Sequence, residues 1–370
     1  MKSSNNQSLS IVIACGGTGG HLFPGVAVAQ ELKRRGNRVT LLISKKNVDA
    51  QASDYYGDLD FRAVEAVALP RLPSLAVFGF LKRMWRTWRT SRMILKEVEA
   101  DVVVGMGGFT SLPPVLAARK AGLRTYVHDS NALPGRANRL TARWCDKVFL
   151  GVEEASHYFH KNQCVVTGTP LRAEMEHIIP REEAKLRLGF SAGDKVVLAM
   201  GGSQGAKNLN TKIIDAAKSC GDLCKFIVIA GSSDYDRVRE LAVGLEHVQV
   251  LSFCSEMPLV YGAADVIISR SGASSLTELA HVGKPSFLVP YPYAADDHQN
   301  HNARVFAAHG AAQVCREESL TSEAITAFLR DILTNDQKRE EMERSTRELD
   351  SPLASQTIAD ILEQTNTRSE

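Results

Sequence analysis

Short, unbroken runs of apolar residues recur along this chain, with helical patterns between them. A first series of runs lies at 10–15, 38–43, 102–106, 124–128, 147–150 and 164–167, and a second series lies at 196–200, 226–230, 248–251, 266–269 and 286–289. Because these runs are continuous rather than alternating with polar residues, each predicts a strand buried on both faces, which is typical of a parallel sheet covered by helices. The sequence therefore predicts an α/β fold with two Rossmann-like, doubly wound parallel-sheet domains in tandem.

The break between the two series indicates the domain boundary. The chain has 370 residues, which is too long for one ordinary core. We expect one domain over 1–168 and a second over 169–348. In the remaining segment, 349–370, Ser351-Pro352 predicts a helix N-terminus with proline at its first position, and this helix is expected to end near Gln364.

Composition argues against several classes of protein. The hydrophobic fraction of 44% and the charged fraction of 23% are typical of a soluble globular enzyme, and a net charge of only +2 argues against a dedicated nucleic-acid binder. The seven cysteines include no C-x-x-C pair and no zinc spacing, which fits a reduced cytoplasm. The apolar run at 9–15 is too short for a signal peptide, and no run approaches the length of a membrane span. Any contact with a membrane is therefore expected from its surface.

Each predicted domain opens with a strand that runs into a glycine-rich turn, at 16–20 in the first and at 201–205 in the second. Neither turn fits G-x-G-x-x-G, and Ser44-Lys45-Lys46 stands where a ribose-binding acid would follow the second strand, so a dinucleotide cofactor is disfavoured. Gly283-Lys284-Pro285 lacks the rest of a P-loop, which disfavours ATP. Glycines at the carboxyl ends of strands let the backbone approach a ligand closely, although tight strand-to-helix turns alone would also explain them.

The segment 269–299 carries the clearest sign of a ligand site. The apolar run at 266–268 leads into Ser271-Gly272-Ala273-Ser274-Ser275, and a helical pattern follows at once. A strand, a turn and a helix N-terminus in this order leave backbone N–H groups unpaired, which suits a diphosphate. Glu278 lies about one turn into the helix and can accept hydrogen bonds from a ribose diol, and the polar loop after the next strand ends at Gln299. We therefore predict a nucleotide-sugar site.

A basic and aromatic segment lies in the first predicted domain. No acidic residue occurs between Glu65 and Glu97, and seven basic residues lie at 71–96. We expect an apolar loop at 75–80 and then a helix whose apolar face is flanked by arginines. Tryptophans beside arginines suit the interface of an anionic bilayer, whereas an ordinary amphipathic helix would pack its tryptophan face into the core. The residues expected to contact a membrane are Leu75, Phe78, Phe80, Leu81, Trp85, Arg86, Trp88 and Arg89.

Several motifs follow one another in a characteristic order: GGTGGHLFP at 16–24, GGF at 107–109, HDSNALPGRAN at 128–138, GTPLR at 168–172, GGSQGA at 201–206, SRSGASSLTEL at 269–279 and DDHQNHNA at 296–303. In this order and spacing, over nearly the whole chain, they resemble the MurG family of bacterial peptidoglycan glycosyltransferases. The resemblance implies a GT-B fold with UDP-GlcNAc in the cleft between the domains. It also implies transfer of N-acetylglucosamine to the 4-hydroxyl of the muramyl sugar in lipid I, the undecaprenyl-diphosphate-linked MurNAc-pentapeptide, to give lipid II. In two-lobed transferases of this kind the last helix commonly crosses back to the first domain, and we expect the same of 349–370.

The resemblance further implies which residues serve each substrate. On the donor side, carried over position by position, lie Arg172, Ser203, Cys254, Ala273, Ser274, Ser275, Leu276, Thr277, Glu278 and Gln299. On the sugar and acceptor side lie Thr18, Gly19, Gly20 and Asn131. Within the donor set, Glu278 is implied to hold the ribose, and the backbone of Cys254 to contact the uracil. Two positions depart from the family, since His-Glu-Gln-Asn is common at 128–131 and aliphatic residues are common at 254.

Displacement of UDP from the anomeric carbon requires stabilisation of a leaving diphosphate and a base for the attacking hydroxyl. Helix N-termini and backbone amides at 201–206 and 272–278 can supply the first, so no metal ion or cofactor is expected. Asp234-Tyr235-Asp236 lies at a predicted helix start and is interpreted as a cap. As the base we favour His21, whose imidazole suits proton transfer near neutral pH, although it could instead orient the glycine turn. Asp129 is the reserve candidate, and direct displacement from an α-linked donor predicts inversion to a β product.

Three functions stay open at this point. The first is the lipid I transferase, a peripheral enzyme on the cytoplasmic face of the plasma (inner) membrane that binds anionic lipid and no nucleic acid, with other cell-wall synthesis proteins as candidate partners. The second is another enzyme with the same two-lobed fold, either a glycolipid synthase or a UDP-GlcNAc 2-epimerase, and the epimerase would not need the basic and aromatic segment. The third is a non-catalytic scaffold for cell-wall enzymes. A scaffold would predict damage to the glycine turns, to His21 or to Glu278, and all of these are intact.

Overall fold

The computed structural model describes residues 8–15, 19–44, 56–66, 76–160, 163–201 and 206–364. The chain divides into two units, of which unit 1 combines Met1–Ala173 with Ser351–Glu370 and unit 2 is Glu174–Asp350. Unit 1 is therefore made from both ends of the chain, whereas unit 2 is continuous.

Unit 1 is built on a parallel sheet. Its strands are β1 (Ser10–Ala14), β2 (Arg38–Ser44), β3 (Asp60–Val64), β4 (Val102–Gly105), β5 (Arg124–Asp129), β6 (Lys147–Leu150) and β7 (Cys164–Val166). Its α-helices in the described part of the chain before unit 2 are α1 (Gly19–Arg34), α2 (Ala76–Glu97), α3 (Leu112–Lys120) and α4 (Arg136–Thr141). Among the described residues, the strand order is β3-β2-β1-β4-β5-β6-β7.

The carboxyl edge of this sheet contains a crevice. Strand β1 pairs in parallel with β2 on one side and with β4 on the other. The chain passes from β1 to β2 and β3 on one side and then crosses to β4 on the other side of β1. The strand order therefore reverses between β1 and β4, and a crevice opens beyond their carboxyl ends, where open α/β sheets bind their ligands. The central residues of β1, Val12 and Ile13, have no exposed surface. This burial confirms that the unbroken apolar runs are strands covered on both faces.

Strand β3 is an addition to the predicted set of strands. It pairs with β2 at the edge of the sheet. Most of its residues, DFRAV, keep some exposed surface, and only Val64 is buried. An edge strand with polar residues lacks the continuous apolar run by which the other strands are recognised.

Unit 2 repeats the architecture of unit 1. Its strands are β8 (Val196–Met200), β9 (Lys225–Ile229), β10 (Val248–Leu251), β11 (Val266–Ser269), β12 (Ser286–Leu288) and β13 (Ala312–Val314). Its helices are α5 (Arg181–Arg187), α6 (Lys207–Lys218), α7 (Tyr235–Leu241), α8 (Met257–Ala263), α9 (Ala273–Val282), α10 (His298–Ala308), α11 (Ser322–Thr334) and α12 (Asp336–Arg347). The described strands form one parallel sheet in the order β10-β9-β8-β11-β12-β13, so a second crevice opens beyond the carboxyl ends of β8 and β11.

The last helix, α13 (Ala354–Gln364), completes the core of unit 1. Its residues Ile358, Ala359 and Leu362 have no exposed surface and pack in one cluster with apolar residues of α1 and β1. At the rim, Nη1 of Arg35 lies 2.6 Å from Oδ1 of Asp360 and 2.9 Å from Oε2 of Glu363. The helix begins three residues after Ser351, whose carbonyl accepts a hydrogen bond from the N–H of Ala354.

We expect Ile358→Ala to destabilise unit 1 by about 2–5 kcal/mol, because it removes buried methyl groups and leaves a cavity. The three tryptophans of the chain, at 85, 88 and 144, all lie in unit 1, so tryptophan fluorescence during urea unfolding reports on this unit. Leu353→Ala is the matched control, since Leu353 is 63% exposed. Equal urea midpoints for the two variants would show that α13 contributes little to the stability of unit 1.

Candidate active site

The N-terminus of α9 lies at the crevice of unit 2. Gly272 precedes the helix in an extended conformation, with φ −65° and ψ 141°, and its carbonyl accepts the N–H of Leu276. The N–H groups of Ala273, Ser274 and Ser275 have no intrahelical acceptor, and the helix dipole adds partial positive charge there. The Oγ atom of Ser274 is buried and has no hydrogen-bond partner among the described residues. These donors form a seat for an anion, as the sequence predicts.

Glu278 lies on the second turn of α9, at the same edge of the sheet. Its Oε2 atom accepts a hydrogen bond of 2.9 Å from the hydroxyl of Tyr261 in α8. That hydroxyl also lies 3.7 Å from Sδ of Met200, the last residue of β8. The carboxylate is therefore held beside the ends of the two strands that border the crevice. In the same helix, the side chain of Leu276 is buried in the core. The hydroxyl of Thr277 donates to the carbonyl of Ala273 within the helix.

The loop after β12 folds back onto the start of α9. The hydroxyl of Ser271 donates to the carbonyl of Gln299 at 2.8 Å, and Oε1 of Gln299 accepts the N–H of Tyr291 at 2.9 Å. A Cβ atom at Gly272 would lie 3.8 Å from Nε2 of Gln299. Asn302 of α10 adds a hydrogen bond of 3.2 Å to the carbonyl of Ser271. The structure thus brings Gln299, which is distant in sequence, next to the anion seat.

Arg270 is a residue of this edge that sequence reasoning missed. Its Nη1 atom donates to the carbonyls of Val289 and Pro290 and lies 2.7 Å from Oε2 of Glu317. The guanidinium also lies 5.7 Å from the ring centroid of Tyr291. A buried arginine between an apolar strand and a Ser-Gly turn was the available signal, since such a charge must find fixed partners. Arg270 therefore fixes the start of the loop that leads from β12 to α10, the helix that carries Gln299.

Of the remaining predicted donor residues, Cys254 and Arg172 lie in the described part of the chain. Cys254 follows the edge strand β10, which β9 separates from β8, and the neighbouring Phe253 is 74% exposed. Arg172 belongs to unit 1, where its guanidinium lies 4.8 Å from the ring centroid of Phe23 in α1. Ser203 lies outside the described residues. At the first residue of its turn, a Cβ atom at Gly201 would lie 2.5 Å from Cβ of Ala206, so only glycine fits there.

His21 lies in the first turn of α1, which Gly19 and Gly20 open, at the crevice of unit 1. Its ring rests against Gly107 and Gly108, which follow β4 with φ of 126° and 72°. A Cβ atom at Gly107 would lie only 2.6 Å from Cδ2 of His21. The GGF motif therefore provides the space in which the imidazole stands between the ends of β1 and β4.

Asp129 is buried at the end of β5 and organises the loop that follows. Its Oδ1 atom accepts hydrogen bonds from the backbone and the side-chain amide of Asn131, and its Oδ2 atom accepts them from Gly135 N–H and Asn138 Nδ2. Burial raises the pKa of Asp129, while these hydrogen bonds favour its ionised form. With both oxygens engaged, the carboxylate shapes the loop and holds the Asn131 amide. Thr18 lies outside the described residues.

His128 stays neutral beneath this loop. Burial lowers the pKa of His128 to about 4, although its hydrogen bond to Gly168 opposes the shift. Its Nε2 atom lies 3.1 Å from the carbonyl oxygen of Gly168. Because a carbonyl only accepts, Nε2 carries the proton and donates it. His128 thus links the end of β5 to the loop after β7 at the carboxyl edge of the sheet.

Helix α2 exposes a mixed apolar and basic face, which we call the α2 surface. It begins at Ala76, so the expected loop at 75–80 is wrong from residue 76 onward. Phe78, Leu81, Trp85 and Met93 are 53–73% exposed, and the exposed cations among them are Lys82, Arg86, Arg89, Arg92 and Lys96. The guanidinium of Arg89 lies 5.7 Å from the ring centroid of Trp85.

Two residues expected at a membrane point into the core instead. Phe80 is buried and packs edge-on against Phe109, and Trp88 is half-buried against the core of unit 1. The single apolar face expected from the sequence is therefore two faces, one inward and one outward. Leu75 lies outside the described residues. No helix in the described part of the chain combines the length and the hydropathy that a membrane crossing needs.

No cluster of metal-ligating side chains stands out in the described ranges. Groups of three or more His, Cys, Asp and Glu residues placed to hold a metal ion are absent from them. Asp234 occupies the N-cap position of α7, at the helix start that the sequence predicts, but its side chain makes no capping bond to the helix. It instead accepts hydrogen bonds from Asn210 and Arg237, since a buried carboxylate is satisfied best by amide and guanidinium donors.

Comparison with known proteins places both units in one family. Residues 11–150 match the glycosyltransferase family 28 N-terminal domain, and residues 196–364 match the glycosyltransferase family 28 C-terminal domain. A relative from Caldicellulosiruptor saccharolyticus is 34% identical, covering 97% of this chain and 99% of its own length. A second, from Geobacter sp., is 36% identical, covering 95% and 94%. Both are named UDP-N-acetylglucosamine–N-acetylmuramyl-(pentapeptide) pyrophosphoryl-undecaprenol N-acetylglucosamine transferase.

Solved structures show the same architecture. MurG from Acinetobacter baumannii is 26% identical with a TM-score of 0.77, over 97% of this chain and 100% of that one. A UDP-GlcNAc 2-epimerase from Neisseria meningitidis, bound to UDP-GlcNAc, is 16% identical with a TM-score of 0.70, over 96% and 100%. The second similarity shows the fold alone. The predicted GT-B fold class, with two Rossmann-like parallel-sheet domains, is confirmed.

Proposed function

The chain belongs to glycosyltransferase family 28, and on that premise we propose that it transfers N-acetylglucosamine from UDP-N-acetylglucosamine to the muramyl sugar of lipid I, forming lipid II. Relatives that are 32–36% identical over almost their entire length are named for this transfer. The observation that supports this proposal most directly is the anion seat at the N-terminus of α9, with Glu278 and Gln299 beside it.

The donor binds to unit 2 in this proposal. The diphosphate accepts hydrogen bonds from the first N–H groups of α9 and from the buried hydroxyl of Ser274. The ribose diol donates to Glu278, and Gln299 contacts the sugar. Ser203, Cys254 and Arg172 stay predictions from the resemblance.

The chemistry is a direct displacement at the anomeric carbon. The 4-hydroxyl of the muramyl sugar forms the new C–O bond while the bond to the UDP oxygen breaks, so an α-linked donor gives a β-linked product. The positive end of α9 stabilises the charge that develops on the departing diphosphate. His21 accepts the proton of the attacking hydroxyl, and Asp129 holds the loop that carries Asn131 at the acceptor side.

The α2 surface is proposed to contact an anionic membrane, which would place the enzyme peripherally on the cytoplasmic face of the plasma membrane. Support comes from its composition. Exposed apolar side chains lie among exposed cations, and no acidic residue occurs between Glu65 and Glu97. Apolar rings that enter the interface and cations that meet anionic headgroups act together. A lipid-linked acceptor would be reached from such a position.

Transfer is tested by incubating the purified chain with labelled UDP-GlcNAc and a lipid I analogue. We expect label in the analogue and release of UDP, with β configuration in the new linkage. Binding of UDP-GlcNAc without transfer to the analogue would contradict the proposal. Formation of UDP-N-acetylmannosamine in the absence of acceptor would instead favour the epimerase, whose fold is similar.

We expect Phe78→Glu with Trp85→Glu to lower binding to phosphatidylglycerol vesicles at least roughly tenfold, because burial of each side chain contributes about 1.5–3 kcal/mol. Co-sedimentation with vesicles measures this effect. Tyr158→Glu with Leu353→Glu is the matched control, since it adds the same charge at other exposed apolar residues of unit 1. Unchanged binding of the α2 double variant would exclude this surface as the membrane contact.

A further inference from the structure

Tyr261 is a buried polar residue to which the resemblance assigns no role. It lies in α8 with no exposed surface, among the largest fully buried side chains of the chain. A buried phenol hydroxyl requires a hydrogen-bond partner. Its partner is Oε2 of Glu278, at 2.9 Å. Phenylalanine would fill the same core volume without this requirement, so core packing alone does not explain the hydroxyl.

The hydroxyl joins three elements at one point. It reaches from α8 to α9, and it also lies 3.7 Å from Sδ of Met200 at the end of β8. Strand β8 borders the crevice of unit 2, and α9 starts beside it. The ring of Tyr261 is locked by the core, so the position of its oxygen is set by the fold rather than by solvent.

A hydrogen bond from this fixed donor determines how the Glu278 carboxylate is turned. A carboxylate has about four acceptor sites on its two oxygens, and the bond from Tyr261 fixes the direction of Oε2. A glutamate side chain on its own loses up to about 2 kcal/mol of rotamer freedom when it is ordered. Tyr261 supplies that ordering before any ligand binds.

We propose that Tyr261 is a positioning residue for the nucleotide sugar, holding Glu278 in the orientation that accepts the ribose hydroxyls. The inference rests on the proposed function, in which Glu278 binds ribose. It extends that function to a residue that itself does not touch the ligand. Positioning of this kind predicts a change in donor affinity with little change in the rate of transfer from bound donor.

The test compares Tyr261→Phe with the wild type. We expect the Kd for UDP and the KM for UDP-GlcNAc to rise about 10- to 100-fold, while kcat stays within about twofold. Tyr235→Phe is the matched control in unit 2, because Tyr235 is half-buried in α7, and its constants should equal those of the wild type. Calorimetry gives the folded fraction through the stoichiometry, so a variant that folds only in part still yields its Kd.

Two further measurements distinguish positioning from a structural role. With 2′-deoxy-UDP, which lacks one ribose hydroxyl, the loss caused by Tyr261→Phe should shrink to a few-fold. In a Glu278→Ala background, Tyr261→Phe should add no further loss of UDP affinity. An equal loss with both nucleotides, an additive double variant, or an unchanged Kd in Tyr261→Phe would overturn the inference. If Glu278→Ala itself bound UDP like the wild type, the ribose role in the proposed function would fail, which is a separate result.

Discussion

Replacing His21 with alanine is expected to lower kcat about 10²- to 10⁴-fold, the usual contribution of a general base. The Kd for UDP-GlcNAc should change less than about twofold, because the anion seat, Glu278 and Gln299 belong to unit 2. Steady-state transfer to a lipid I analogue gives kcat, and calorimetry gives the donor Kd. A large fall in kcat with a nearly unchanged donor Kd follows from the roles proposed for the two units.

A second histidine of unit 1, His157, provides the matched control for His21→Ala. His157→Ala removes an exposed imidazole from the same unit and should leave kcat unchanged. If His21→Ala retained near-normal kcat, another group would have to accept the proton, and His21 would be left with the alternative role of orienting the glycine turn.

Gly107→Ala is expected to lower kcat about 10²-fold, which is the effect of displacing a catalytic group by about 1 Å. The added Cβ would lie 2.6 Å from the ring of His21, so the imidazole must move. The substitution also places alanine at φ 126°, a backbone strain of about 1–3 kcal/mol. Transfer assays and urea unfolding followed by tryptophan fluorescence separate the two effects.

Gly122 offers a control with strain and no collision. Its φ is 76°, and a Cβ atom there would meet nothing within 4 Å. Gly122→Ala should therefore destabilise unit 1 through backbone strain and retain normal kcat. Equal activity of the two variants would mean that the contact between His21 and Gly107 has no part in catalysis.

The fold class was predictable because burial on both faces leaves a direct trace in sequence. Strands such as β1 and β11 are continuous apolar runs, and the turns that end them are rich in glycine and serine. Strand β3 left no such trace, because its sequence, DFRAV, contains polar residues and only Val64 is buried. The helix α2 was placed too late in the chain because Gly79 and the apolar residues around it are equally typical of a loop.

The candidate site was predictable only in part. Glu278 and the N-terminus of α9 are neighbours in sequence, so a strand–turn–helix pattern was enough to find them. Tyr261 and Arg270 act through contacts to residues 17 and more positions away, and no periodicity reports which core tyrosine directs its hydroxyl to a carboxylate. The glycine pair at 107–108 belongs to a motif that the sequence analysis identified. Only the structure shows that these glycines leave room for the ring of His21.

The use of α13 to close the core of unit 1 has a consequence for synthesis. A ribosome adds Ile358 and Leu362 only after the whole of unit 2, so the apolar residues of α1 and β1 against which they pack stay uncovered in the nascent unit 1 until then. Unit 2 is continuous and is complete by residue 350. We therefore expect the usual order, in which the N-terminal domain folds first, to be reversed, because a chain that stops before residue 354 contains all of unit 2 and lacks the helix that covers the core of unit 1.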